Sequence, residues 1–158
     1  MVGDEKAYIS KWKCSRSWMF KLCINEWISW TRWRGRIRDQ ILSRTPKGLI
    51  ILASKRHIKC FDELTEEEQI DYICVLSKIR KAQRKVLGIE YVYYFYNEDT
   101  THHFHTWLVP RYEWMYEFGR SVESVRPVLL YARNQMNDEE NMSEVISAIK
   151  KLKIELNW

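Results

Sequence analysis

Hydrophobic and polar positions alternate most clearly between His102 and Arg111. In a strand, successive side chains point to opposite faces, and residues two apart sit roughly 7 Å from one another on one side. That sets His103, His105, Trp107 and Val109 on one face and Phe104, Thr106 and Leu108 on the other. Pro110 has no N–H to give a ladder, so the strand is predicted to end there. Glu90–Tyr96 is rich in aromatic and β-branched residues and reads as a second strand. The short polar turn from Asn97 to Thr101 joins the two as an antiparallel hairpin. Upstream, the Pro46-Lys47-Gly48 turn leads into Leu49–Ala53, an apolar run short enough to be a strand buried on both faces.

The period changes after Leu64. Thr65 with Glu68 three residues later forms a capping box, and the first-turn glutamates suit the helix dipole. A helix is predicted over 65–87, with Ile70, Ile73, Cys74 and Leu76 as its buried side and Gly88 as its stop. The basic run Lys78, Arg80, Lys81, Arg84 and Lys85 reads as a solvated face. Two more helices are predicted, Ser121–Met136 and Asp138–Leu156, the second with Val145, Ile149, Leu152 and Leu156 on one side. Tyr112–Tyr116 reads as an aromatic loop between strand and helices. In residues 1–45, Ile24, Trp27, Ile28, Ile37 and Ile41 fit a helical period, although Gly35 weakens such a helix by about 1 kcal/mol relative to Ala. The fold class that follows is α+β: an antiparallel sheet, a covering helix and C-terminal helices.

Composition narrows the picture. The chain has 158 residues, 46% hydrophobic and 30% charged, which suits one domain with a real core. We divide it into an N-terminal segment (1–45), a motif-bearing core (46–112) and C-terminal helices (113–158), without internal repeat or linker. No apolar run approaches the roughly 20 residues of a membrane span. The N-terminus lacks the apolar stretch of a signal peptide. Cys14, Cys23, Cys60 and Cys74 form no compact framework, so reduced thiols and a cytoplasmic location are expected. The net charge of +5 suits an anionic ligand but decides little alone. Five of the eight tryptophans (Trp12, Trp18, Trp27, Trp30 and Trp33) lie among lysines and arginines in residues 1–45. They would stack a nucleobase or single strand, fill a dimer interface, or cover a core; packing or interface is favoured because large aromatics mostly serve packing. No RNA-binding motif accompanies them, so a nucleic-acid partner is not expected.

The chemistry concentrates in His103-Phe104-His105-Thr106-Trp107-Leu108-Val109-Pro110-Arg111. This run resembles the histidine-triad (HIT) superfamily of nucleotide hydrolases and transferases, whose hallmark is His-x-His-x-His-x-x, often followed by Pro-Arg. Trp107 stands where the third histidine usually does. A second match, Gly48–His57, resembles the family's Gly-His-x-x-x-x-Pro-x-x-His segment, with Leu49 and Ser54 departing from it. The helix opening Leu64-Thr65-Glu66-Glu67-Glu68 follows in order. The resemblance covers roughly residues 46–112.

It implies a HIT-like sheet and an enzyme acting on a nucleoside (di)polyphosphate, as hydrolase or nucleotidyltransferase, through a covalent nucleotidyl group on His105. A histidine nucleophile splits such a transfer into two displacements. The backbone carbonyl of His103 would orient the His105 ring. His57 would lie near the phosphates. Asn97 and Thr101 are the nearest substitutes for a longer phosphate-contacting loop that many members carry at this turn, and as turn residues both also have a purely structural role open to them. Trp107 would donate its indole N–H to a phosphate oxygen but cannot act as an acid near neutral pH. Leaving groups that need little protonation should then be preferred. No cofactor is required; some relatives bind structural zinc, for which Cys14, Cys23, His57 and His103 form a weakly spaced set. A homodimer is implied as well. The alternative is a non-catalytic nucleotide-binding or protein-interaction module of the same fold.

Overall fold

The computed structural model describes residues 20–23, 44–99, 104–136 and 138–157. Four strands form one antiparallel sheet: β1 (Phe20–Cys23), β2 (Ile50–Ser54), β3 (Tyr91–Phe95) and β4 (His105–Arg111), in the order β1-β2-β4-β3. Among the described residues three helices accompany them: α1 (Glu66–Leu87), α2 (Val125–Gln135) and α3 (Glu139–Leu156). The fold is α+β, as the pattern predicts. The proposed helix through Ile24, Trp27, Ile28, Ile37 and Ile41 lies outside the described residues. The four-residue β1 is too short for alternation to have announced it.

One face of the sheet carries the larger core. Ile50 and Leu52 of β2 and Leu108 of β4, with Phe104 just before β4, pack against Tyr72, Val75, Ile79 and Ala82 of α1 and Leu152 of α3. On the opposite face Leu49, Ile51, Ala53 and Val109 meet Val125 of α2, with Tyr93, Trp107 and Leu129 at the margin. A sheet covered on both sides explains why all five residues of β2 are buried.

α1 begins where its capping box sets it. The Thr65 side chain accepts from the Glu68 N–H, and the Glu68 carboxylate accepts from the Thr65 N–H at 2.9 Å. Gly88 ends the helix in the left-handed region, at φ 64°. The inward face, however, is only in part the predicted one: Leu76 packs against the core, but Ile70 and Ile73 do not. Ile73 is 59% exposed and Ile70 is 37% exposed, while Glu68, Tyr72, Val75, Ile79, Ala82 and Gln83 are buried. The reason lies in the first turn. Arg56 grips the Glu68 carboxylate from Nε at 3.0 Å and Nη2 at 2.6 Å, which turns the Glu68–Tyr72–Val75–Ile79 stripe toward the sheet.

β4 also runs further than expected. Pro110 lies inside the strand, opposite Val92, and Arg111 opposite Tyr91. Pairing with β2 has already stopped at Leu108, so Pro110 sits where β4 has a neighbour on one side only, the setting in which a strand tolerates proline. Beyond it, Arg111 is buried, donates from Nη2 to the carbonyls of Gly119 (2.9 Å) and Met115 (3.3 Å), and faces the rings of Tyr93 and Tyr116. It ties the 3-10 turn Glu113–Phe118, which replaces the expected aromatic loop, to the end of the strand. The helix expected from Ser121 begins at Val125, after a separate 3-10 turn over Val122–Ser124. α3 starts as predicted: Asp138 accepts from the Asn141 N–H at 2.7 Å.

Candidate functional site

His105 opens β4 at one end of the sheet. It is half-buried and lies opposite Ala53 of β2. Residues directly opposite in an antiparallel pair share a face. The His105 face is therefore the one bearing Ala53, Ile51, Trp107 and Val109, the side away from α1, as the alternation indicated. The Trp107 ring lies 6.2 Å from the His105 ring, centre to centre, at 55°. Trp107 is itself half-buried, opposite Ile51 on one side and Phe95 on the other. Val125 and Leu129 of α2 close the other end of this face, over Leu49 and Val109.

The residue before His105 is a fastening point. The Phe104 N–H donates to the Ile58 carbonyl at 2.8 Å, and the Phe104 carbonyl accepts from the Ser54 N–H at 3.2 Å. Both ends of the loop carrying His57 are thus bound to the residue that precedes His105. The Phe104 ring completes the attachment, lying 5.3 to 5.7 Å from the rings of Tyr96, Tyr72 and Phe61. Phe61 reaches this cluster from the 3-10 turn Phe61–Glu63 that follows the loop. Beneath the strand, Tyr72 Oη and Thr106 Oγ1 are 2.7 Å apart in the buried layer. Strand and loop are held from the α1 side, which leaves the His105 side chain on the other.

The sequence-derived residues divide as follows. His105 and Trp107 share a face and are ring neighbours. His57 is exposed on the loop bound to Phe104. Asn97 donates its side-chain amide to Asp99 within the turn, the structural role open to a turn residue. His103 and Thr101 lie outside the described residues, as does Cys14 of the zinc set. Cys23 pairs opposite Ile51, several residues from the Ser54 end where the His57 loop leaves. Among the described residues no group of three His, Cys, Asp or Glu side chains is placed to hold a metal.

Of the charges around the His57 loop, Arg56 is bound on two sides. Besides Glu68, Arg56 donates to the Glu63 carbonyl. Its guanidinium holds the Glu68 carboxyl below the usual carboxylate range, helped by the Thr65 N–H against the opposing effect of burial. Arg56 is accordingly a brace between loop and helix. Cys60 donates to Glu63 Oε1 at 3.1 Å, and Asp62 with Glu63 pushes its thiol up to about 12, so it is a poor nucleophile near neutral pH. The backbone position of Lys21 in β1 is paired opposite Ala53, in line with that of His105. Only the pairing of β1 reveals it.

No family model matches this chain, and no curated protein does. Among solved structures, a Hit-like protein involved in cell-cycle regulation from Bartonella henselae, with an unknown ligand, is similar at 19% identity. The match covers 68% of this chain and 74% of that one, at a TM-score of 0.41. So loose an overlap assigns no residue a role. No helix among the described residues is long and apolar enough to cross a membrane.

Proposed function

We propose that this chain is a HIT-like enzyme that hydrolyses or transfers nucleotides, with His105 as its nucleophile. The observation that carries the reading is the setting of His105. A half-buried imidazole heads a central strand, beside an indole, with the His57 loop bound to the residue before it. Together with the ordered motifs Gly48–His57 and His103–Arg111, that setting favours phosphorus chemistry over a packing role. One ring nitrogen of His105 attacks the α-phosphorus of a nucleoside polyphosphate. A P–N bond forms, the P–O bond to the leaving phosphate breaks, and the leaving group departs with the electron pair. Water or another acceptor then attacks the same phosphorus, the P–N bond breaks, and His105 is regenerated. The other ring nitrogen donates a hydrogen bond that fixes the tautomer, to the backbone carbonyl of His103 by the resemblance. Trp107 donates from its indole N–H to a non-bridging oxygen. His57 approaches the departing phosphate.

The test is chemical trapping. Incubation with a labelled dinucleoside polyphosphate, followed by a denaturing quench, should leave an acid-labile, base-stable label on histidine. His105→Ala should abolish both label and turnover with an unchanged circular dichroism spectrum. Turnover at the wild-type rate in that variant refutes the assignment.

One observation favours the second reading, a nucleotide-binding module without turnover: Trp107 packs at the edge of an apolar cluster in the place of the third histidine. Binding of nucleotide without label or product would establish it. Pairing of two copies belongs to the same proposal, since the tryptophan surplus needs burial.

A further inference from the structure

We infer that Arg56 and Glu68 are positioning residues of this site: their ion pair fixes where the His57 loop stands relative to His105, and catalysis is impaired when either partner is removed; this rests on the nucleotide reading above. The loop is fastened first by its main chain. At its two ends Ser54 and Ile58 are bound to Phe104, the residue before His105. Between those points the Ser54 hydroxyl donates to the Arg56 carbonyl at 2.8 Å and tightens the turn. The Arg56 side chain then supplies a further anchor, on the first turn of α1.

Together these contacts close a ring around the histidine end of the sheet. Arg56 reaches Glu68; one helical turn further along α1, Tyr72 meets Thr106 of β4 at 2.7 Å. Thr106 adjoins His105 on one side, and Phe104 on its other side returns to Ser54 and Ile58. The link between Arg56 and Glu68 is the part of this ring made by two charged side chains, from positions 12 residues apart. Glu68 takes Arg56 in a two-point fork, Nε to Oε1 at 3.0 Å and Nη2 to Oε2 at 2.6 Å. A fork sets orientation as well as distance. The same carboxylate accepts from the Thr65 N–H, so the group that opens α1 also sets the loop.

Lys55 and Lys59 are the other lysine and arginine cations of this loop, and both are exposed. All three would draw a phosphate chain by charge alone. Geometry sets Arg56 apart, because its Nε and Nη2 face Glu68 and the Glu63 carbonyl rather than a ligand. A charge role and a positioning role give opposite signs at Glu68. Removing an anion beside a phosphate site helps a substrate that is drawn by charge. Removing an anchor frees the loop, and a misplacement of about 1 Å is enough to cost about 10²-fold in rate.

The experiment is steady-state hydrolysis of radiolabelled diadenosine tetraphosphate by the full chain, with the label on His105 followed in the first turnover. Wild type is compared with Arg56→Gln, with Glu68→Gln, which keeps a residue suited to the capping box, with Arg56→Lys, with His57→Ala, and with Arg56→Gln and His57→Ala combined. Circular dichroism and urea midpoints establish that each variant is folded under the assay conditions. Arg56→Gln and Glu68→Gln should each lower kcat by about tenfold or more, with KM changed less, although they shift the net charge in opposite directions. Arg56→Lys, which keeps the charge without the fork, should recover part of the loss. Once His57 is alanine, Arg56→Gln should cost nothing further, because the anchor acts through His57. Wild-type rates in both glutamine variants, opposite signs for the two, or a loss in Arg56→Gln that persists in the His57→Ala background refutes the positioning role while label on wild-type His105 upholds the nucleotide reading. Absence of both turnover and label in wild type overturns the two together.

Discussion

The hydroxyl pair under the histidine strand offers a quantitative test of how the site is held. Thr106 and Tyr72 are 2% and 6% exposed, and their oxygens lie 2.7 Å apart. Thr106→Val keeps the shape of the side chain but leaves the Tyr72 hydroxyl in the core without this partner. Removing one partner of a buried hydroxyl pair costs up to about 1–3 kcal/mol, whereas removing both is nearly neutral. Burial already holds the Tyr72 hydroxyl above its ordinary pKa, so escape by ionisation is closed to it. Thr106→Val should therefore destabilise by about 1–3 kcal/mol. Adding Tyr72→Phe should restore part of that, with a coupling of about 1–2 kcal/mol. The assay is a double-mutant cycle in urea, followed by tryptophan fluorescence. For a chain of this size each kcal/mol also moves Tm by about 2–4 °C. Effects that add to within about 0.5 kcal/mol would refute the coupling.

The remaining predictions follow from other contacts. In wild type, kcat/KM should favour substrates that expel phosphate over phosphoramidates that expel amines, because general acid help is typically worth about 10²–10⁴-fold and Trp107 gives none. Trp107→His should improve the amine-leaving substrates more; equal change for both classes in a folded variant would leave Trp107 as a packing residue. The Glu68 carboxyl is depressed by Arg56, so its contribution to stability is present above the ordinary carboxylate pKa and is lost as pH falls through the folded value. Glu68→Gln should be less stable than wild type at pH 7 and should flatten the acid limb of urea midpoint against pH; parallel limbs would show that the pair is energetically idle. Sedimentation equilibrium at micromolar concentration should show a dimer, and a monomer alone would remove that part of the proposal.

The elements whose signal is local were legible. Thr65 and Glu68 are three residues apart, and the helix they open begins where the capping box requires. Alternation in 104–109 assigns Phe104, Thr106 and Leu108 to one side and His105, Trp107 and Val109 to the other, as the pairing bears out. What failed depends on distant partners. The inward face of α1 is chosen by Arg56, ten residues upstream of the helix, and an apolar count favouring Ile70 and Ile73 does not register that contact. Pro110 would stop a strand paired on both sides, but β2 ends before reaching it, a fact that local pattern does not carry. Lys21 acquires a relation to His105 only through two strand pairings, neither of which leaves a trace in local pattern.

The strand order β1-β2-β4-β3 has a kinetic consequence. The β3–β4 hairpin and α1 are built from neighbours in sequence, and each can form early. The pairing of β2 with β4 joins segments separated by the whole of α1 and β3, so its loop-closure entropy is met before its contacts are gained. Ala53 and His105 come into register through that pairing. The histidine end of the sheet is thus among the last parts of the chain to be assembled. In a refolding experiment, recovery of helical signal should run ahead of recovery of nucleotide binding.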